Sequence, residues 1–425
     1  MTQRKDLHSD RGSGRDTPEL LFLAHRIPYP PDKGDKIRSW NILRRLADRY
    51  RVHLGCFVDD AGDWRHTATL REICASCCFA ELRQPIARIR SLGGLWSRRP
   101  LSVPYYRDAG LAAWTEGLFS EHRIERVFAF SSPMAQYAMS AAHRRTRKVI
   151  DFVDVDSDKW RQYAEKKTGP SRWIYAREAR TLLAFERTVA AEFDASLFVS
   201  PDEAHLFRTL APESADKVFH LNNGVDHSHF SPDRDYENPF DDRSEVLVFT
   251  GAMDYWPNVD AVRWFACTVL PRIRQARPRA EFCIVGSNPI PEVLGLARHP
   301  GVSVTGRVED VRPYLAHAAA VVAPLRVARG IQNKVLEAMA MAKAVVSTSA
   351  AIQGIEAEPD RDFLVADDAD RFADAIVGLL GTAAAGELGR RARALVVANY
   401  DWNDTLARLD QFVEGPRNPE AAVDS

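Results

Sequence analysis

Runs of apolar residues long enough to cross a bilayer, about 18 in a row, are missing from this chain of 425 residues, so no membrane-spanning helix is expected. An excess of charge is missing too. Lys and Arg number 57 against 58 Asp and Glu, and the resulting net charge of −1 excludes nucleic-acid binding through bulk positive charge. Cysteine is scarce: Cys56, Cys74, Cys77, Cys78, Cys267 and Cys283 are scattered without a secretory signal, so reduced thiols in the cytoplasm are expected rather than a disulfide framework. Cys74, Cys77 and Cys78 lack a second cluster to complete tetrahedral zinc, and no metal is expected of them. Residues 1–17 are polar with no apolar core of a signal peptide and read as a disordered tail, and the Gly-Ser-Gly within them follows no strand, so it is no phosphate loop. Neither half of the chain opens with Gly-x-Gly-x-x-Gly after its first strand, which argues against a nicotinamide dehydrogenase.

What is present is α/β alternation, twice over. Leu20–Ala24, a Pro/Gly loop, a helix from about Lys36 to Asp48 and Val52–Val58 form a βαβ unit, and further β-rich runs follow at Arg126–Ser131, Lys148–Val153 and Ala195–Ser200. An Asn/Asp/Pro/Ser-rich stretch at 226–244 reads as a linker, after which VLVFTG, EFCIVG, VSVTG, AAVVAPL and AVVST each lead into a loop and helix. The division expected is therefore 18–225, linker 226–244, 245–398, a helix at 399–415 returning to the first domain, and a loose tail at 416–425. Two doubly wound, Rossmann-like domains place ligands at the carboxyl ends of their strands, so the functional residues are sought in strand-following loops.

One such loop ends in ARGIQNKVLEAMAM, where Ile331, Val335, Leu336 and Met339 make the buried face of a helix. Asn333 and Lys334 open it, although a helix start disfavours a cation unless an anion is nearby. A diphosphate is one such anion, bound by the open N–H groups together with Lys334. Glu337, on the same side as Lys334, has the acceptors for two vicinal hydroxyls such as those of a ribose. The plain alternative is an i, i+3 ion pair between the two.

These residues resemble the donor segment of retaining GT-B glycosyltransferases of the glycosyltransferase 4 type. Their order along the chain, from PYPPDKGDKIRSWN through NNGVDHSHFSP, GAMDYWPNVDAVRWF and GRVEDVRPYLAHA to APLRVARGIQNKVLEAMAM, looks most like the sugar transferases associated with exosortase (PEP-CTERM) and exopolysaccharide loci. The resemblance implies a nucleotide diphosphate sugar as co-substrate, Glu337 on the ribose, Lys334 and Asn333 at the diphosphate, and Gly251 and Asn258 among the donor contacts. It also implies retention of configuration. Two departures stand out. The family often carries two glutamates with seven residues between them, and the first position here is Arg329; the arginine many relatives carry after the first strand of the second domain is replaced by MDYWPN, leaving Arg307, Arg326 or Arg329 to supply that cation. Ala342 and Ala344 also replace the usual glycine and proline after the helix.

In the first domain Gly34 offers a backbone without Cβ for close approach to the diphosphate, flanked by Lys33 and Lys36, which read as surface charges. Asp154 and Asp156, with Asp151 and Asp158 around them, are assigned to acceptor orientation or proton removal, against the alternative of a structural turn, and His25 is a further acceptor-side candidate, against the plainer alternative of a satisfied loop histidine. Helix starts and basic residues suffice to stabilise a leaving diphosphate, so neither metal nor cofactor is expected. Arg83 to Arg107 contains six arginines, one tryptophan, two tyrosines and no acid, a surface suited to anionic lipid on the inner face of the membrane or to a lipid-linked glycan acceptor. The reading is a glycosyltransferase with Lys334, Asp154, Asp156 and Arg329 as its catalytic candidates. A nucleotide-sugar epimerase and a catalytically silent nucleotide-sugar binder remain the alternatives.

Overall fold

A computed structural model describes residues 17–92, 94, 99–140, 146–165, 167–241, 245–328 and 330–415. By contacts the chain divides into two units, one comprising the residues up to Phe198, His205–Phe219 and those from Leu409 on, the other Val199–Ala204 and His220–Arg408.

The first unit is built on β1 (Glu19–Ala24), β2 (Arg51–Val58), β3 (Ser76–Glu81), β4 (Ile124–Phe130), β5 (Arg147–Val153), β6 (Ala195–Phe198) and β7 (Val218–His220), in the spatial order β3-β2-β1-β4-β5-β6-β7. The pairings from β3 through β6 are parallel. Parallel strands covered by helices on both faces need continuous apolar runs rather than alternation, and Leu20 to Ala24 are all fully buried. The second unit repeats the plan with β8 (Glu245–Thr250), β9 (Ala280–Val285), β10 (Val302–Gly306), β11 (Ala320–Ala323), β12 (Val345–Ser347) and β13 (Leu364–Val365), ordered β10-β9-β8-β11-β12-β13 and parallel throughout. In each sheet the order reverses beside its first strand, between β1 and β4 and between β8 and β11, and these reversals are where doubly wound sheets open a crevice for ligand.

The segment expected as a linker, 226–244, is held within the second unit as far as it is described. His317 Nε2 donates to the Tyr236 carbonyl at 2.8 Å, Arg393 donates to the Phe230 carbonyl at 3.2 Å, and Val225 bridges Asp401. The boundary by contacts lies at Phe219/His220 instead, within a stretch that carries no turn residues. The last helix, Trp402–Glu414, starts in the second unit and finishes in the first. There Arg45 and Arg49 each reach Asp410 at 2.5 Å, Arg147 donates to the Phe412 carbonyl, and the Phe412 ring packs on Phe219. Among the described residues no single helix is long and apolar enough to cross a membrane. The expected tails 1–17, apart from Thr17, and 416–425 lie outside the described residues.

Candidate functional site

At the reversal of the second sheet, β8 ends at Thr250 and Gly251 turns the chain toward the helix Trp256–Trp264, whose first turn carries Pro257 and Asn258. Buried Asn258 faces back: its Nδ2 donates to the Ala252 carbonyl at 2.9 Å, and its Oδ1 accepts from Lys334 Nζ at 2.7 Å. The Lys334 ammonium also lies 4.2 Å over the Phe249 ring, a cation–π contact. A Cβ at Gly251 would stand 2.8 Å from Asn258 Nδ2 and 3.0 Å from Lys334 Nζ, so a side chain there would push this pair aside. Gly286, just past β9, lets that loop settle, for its own Cβ would fall 1.6 Å from the Gly251 carbonyl oxygen.

Lys334 projects from the first turn of the helix Asn333–Ala340, whose flanking Gln332 offers no side-chain cap to the leading N–H groups. Asn333 is fixed by Asn223, which donates from Nδ2 to Asn333 Oδ1 at 2.9 Å. As expected, Ile331, Val335, Leu336 and Met339 are buried. The i, i+3 ion pair is not what forms, because Lys334 turns to Asn258 instead. Among the described residues the half-buried Glu337 carboxylate has no hydrogen-bond partner at all. Burial pushes Glu337 up to about 7, the Lys334 charge offsetting part of it. Burial likewise lowers Lys334 to about 7, with Glu337 working the other way. The site thus combines a poorly solvated cation, an open helix start and an unpaired carboxylate one turn further on. Together these can take a phosphate group and a pair of hydroxyls.

Of the other expected donor contacts, Arg326 is already engaged. It grips Asp260 with Nε at 3.0 Å and Nη2 at 2.5 Å and lies over Trp264, so as a donor contact it would share its charge with that carboxylate. Arg307 is exposed just past β10. Arg329 lies outside the described residues.

In the first unit Gly34 is exposed at the start of the helix Gly34–Ala47. Lys36 is no surface charge: it is 2% exposed and reaches Asp63 at 2.7 Å and Asp32 at 3.4 Å, since a buried ammonium needs a counter-ion. His25 follows β1, stacked on Phe130 at the end of β4, with Nε2 3.3 Å from Asp35. Burial opposes ionisation of Asp35, but its hydrogen bond with His25 and the Arg26 charge outweigh this and hold its carboxyl well below the usual range. Asp154 and Asp156 come together on Lys159, at 2.7 and 3.0 Å. Burial works against the Lys159 charge, but the two aspartates outweigh it and hold its pKa well above normal. Asp154 Oδ1 remains buried without a partner. Just before it, Val153 sits at φ 68°, costly for a β-branched residue and a kind of strain that gathers at functional loops. Asp151 is sealed in a buried pair with Arg38 at 2.7 Å and is structural. Among the described residues no hydrogen bond joins His25 to Asp154.

Asn223, Phe249 and Gly286 were not singled out by sequence. The first lies in the NNGVDHSHFSP segment and the others at strand ends, so a search of all strand-end residues could have found them.

Two Rossmann-like parallel-sheet units of this order are the fold of the GT-B glycosyltransferases. Residues 244–382, the part that holds Gly251, Asn258, Lys334 and Glu337, match the family described as glycosyl transferases group 1. Among solved structures, sucrose-phosphate synthase from Thermosynechococcus elongatus superposes with a TM-score of 0.66 at 15% identity, covering 93% of this chain and 98% of that one. HepE from Anabaena in complex with UDP-glucose gives 0.65 at 14% identity, with 93% and 99% covered. α,α-Trehalose 6-phosphate synthase from Burkholderia multivorans gives 0.62 at 12%, with 94% and 96% covered. No curated protein matches the chain.

Proposed function

We propose that this protein transfers a sugar from a nucleotide diphosphate sugar to a hydroxyl of an acceptor. The observation that carries this reading is the pairing of Lys334, aimed by Asn258 across Gly251, with the unpaired Glu337 one turn on. As the sugar–phosphate bond breaks, charge grows on the departing diphosphate. Lys334 and the open helix start would oppose that charge where water is scarce and the interaction is correspondingly strong. Glu337 would hold the ribose hydroxyls. The HepE complex with UDP-glucose makes a uridine donor the first to try.

The finer assignments rest on the first unit and on the resemblance drawn from sequence. Asp154 and Asp156, with His25, would orient the acceptor hydroxyl, and Arg329 would stand in for the missing sugar-binding glutamate. The acceptor would be a lipid-linked glycan of exopolysaccharide or envelope synthesis, reached from the cytoplasmic face, with the sugar's configuration retained and no metal needed. In the stretch Arg83 to Arg107, the helix Gln84–Leu92 exposes Ile86, Ile89 and Leu92 and buries only Ala87, the pattern of a helix lying on a lipid surface.

The test is a thermal-shift screen of nucleotide diphosphate sugars followed by product analysis. Wild type should be stabilised by one nucleotide class and release the nucleoside diphosphate. Glu337→Ala and Lys334→Ala should lose the shift, and an undiminished shift in both sinks the donor site. Conversion of donor without acceptor into an isomeric nucleotide sugar would support the epimerase; binding without hydrolysis or transfer would support the silent binder.

A further inference from the structure

At the opposite ends of the first sheet's strands from His25 and Asp154, three residues distant in sequence converge. Glu19 opens β1, His53 lies near the start of β2, and His122 closes the helix Ala109–Glu121. His122 Nδ1 is 3.2 Å from Glu19 Oε1 and His53 Nε2 is 3.7 Å from the same oxygen, and the three ligand atoms all lie within 4.8 Å of one another. His53 is 1% exposed, and its Nε2 is buried without a hydrogen-bond partner. Its other nitrogen is committed, with Nδ1 2.7 Å from Ser76 Oγ on β3.

Neither neutral tautomer satisfies this arrangement. With the proton on Nδ1, donated to Ser76, a lone pair on Nε2 faces a carboxylate. With the proton on Nε2, the nearest acceptor is too far for a hydrogen bond. A cation between the three groups resolves the conflict. Nδ1–H to Ser76 is the outer contact that fixes the tautomer and orientation of a metal-binding histidine.

We propose that Glu19, His53 and His122 form a binding site for a divalent transition metal of the zinc class, separate from the donor and acceptor residues. Two imidazoles and a carboxylate suit such an ion and leave a fourth position for water. Metal–ligand bonds of about 2.0–2.2 Å set tetrahedral ligand separations near 3.3–3.5 Å. The two separations to Glu19 straddle that range, and His122, a third exposed at its helix end, has room to close on His53. Arg51 Nη1, 3.5 Å from Glu19 and nearly half exposed, is the group the ion would displace. The ion would tie β1, β2 and the end of that helix together, a stabilising site independent of sugar transfer.

The test uses the full-length protein dialysed against chelator. Titration with zinc chloride should load about one ion per chain and raise the melting temperature. Cobalt(II) should give visible d–d bands without thiolate charge transfer, which separates this site from the cysteines around Cys77. His122→Ala and Glu19→Gln, both at the margin of the fold, should melt like wild type without metal, bind zinc at least tenfold more weakly and lose the metal-dependent shift. Retention of wild-type zinc affinity in both variants, a thiolate-type cobalt spectrum, or no binding by wild type would overturn the proposal.

Discussion

The proposed donor site makes a definite demand on pH. In the free protein burial lowers Lys334 to about 7 and raises Glu337 to about 7, so near neutrality the two groups hold about one proton between them. With donor bound, the diphosphate holds Lys334 protonated and the ribose hydroxyls hold Glu337 ionised, which is again one proton. Binding near pH 7 should therefore move almost no protons. Above that pH the free Lys334 has lost its proton and binding must take one up. Below it the free Glu337 has gained one and binding must release it. Affinity should peak near neutrality and fall on both sides by up to about tenfold per pH unit, the limit for one linked proton. Titration calorimetry of UDP-glucose in buffers of different ionisation heat reads this directly, because a diphosphate diester has no proton of its own to lose there. Proton uptake should change to release on crossing neutrality. Glu337→Gln should flatten only the acid limb. Lys334→Ala should flatten only the alkaline limb while weakening binding about 10- to 150-fold, the loss of one hydrogen bond to a charged group worth about 1.5–3 kcal/mol. An affinity that is flat from about pH 5.5 to about 8.5, with no buffer dependence at either end, refutes the assignment of these two groups to the donor.

Three further outcomes follow from the packing. Gly286→Ala should abolish the donor-induced thermal shift with the far-ultraviolet spectrum unchanged, because its Cβ would strike the Gly251 carbonyl and displace the turn beside Asn258 and Lys334; wild-type binding would show that the proposed donor site does not depend on that turn. Glu186, buried against Ser157 and pushed up to about 8 by that burial, favours its protonated form in the folded chain, so the stability it contributes is present at acid pH and lost as pH rises from about 4.5 through about 8. Urea unfolding of Glu186→Gln should show a gain over wild type that grows from about pH 5 to about pH 8, and a constant difference would contradict the shift. Ala342 holds φ at 55° where the helix Asn333–Ala340 ends, so Ala342→Gly should stabilise the second unit by about 1 kcal/mol in denaturant unfolding, and a loss of stability would refute the strain.

Much of the fold was legible because buried parallel strands must be written as unbroken apolar runs, and Leu20–Ala24 or Val246–Phe249 can be little else. The strands overlooked are those without that signature: β3 reads SCCFAE, β7 is three residues long and β13 two. Lys334 and Glu337 stood out because they sit on one helix at a known spacing. Their setting did not, since Asn258 is 76 residues from Lys334 and only the strand order brings the two together. The same limit hid Glu19, His53 and His122, which lie on three elements with no shared motif.

Charge type could not separate structural from functional lysines either. Lys36 was read as surface and Lys334 as functional, yet both carry an ammonium in a poorly solvated place. What divides them is the partner. Lys36 has Asp63 and Lys159 has Asp154, each at 2.7 Å, so their charges are settled within the fold. Lys334 has at the same distance only the neutral amide of Asn258, with an aromatic face beneath it and a carboxylate nearby that makes no direct pair. A buried cation given a neutral partner costs stability that an aspartate at position 258 would recover. That the chain keeps asparagine there, and glycine at 251 to leave the space open, is the physical argument that the missing anion is brought by a ligand.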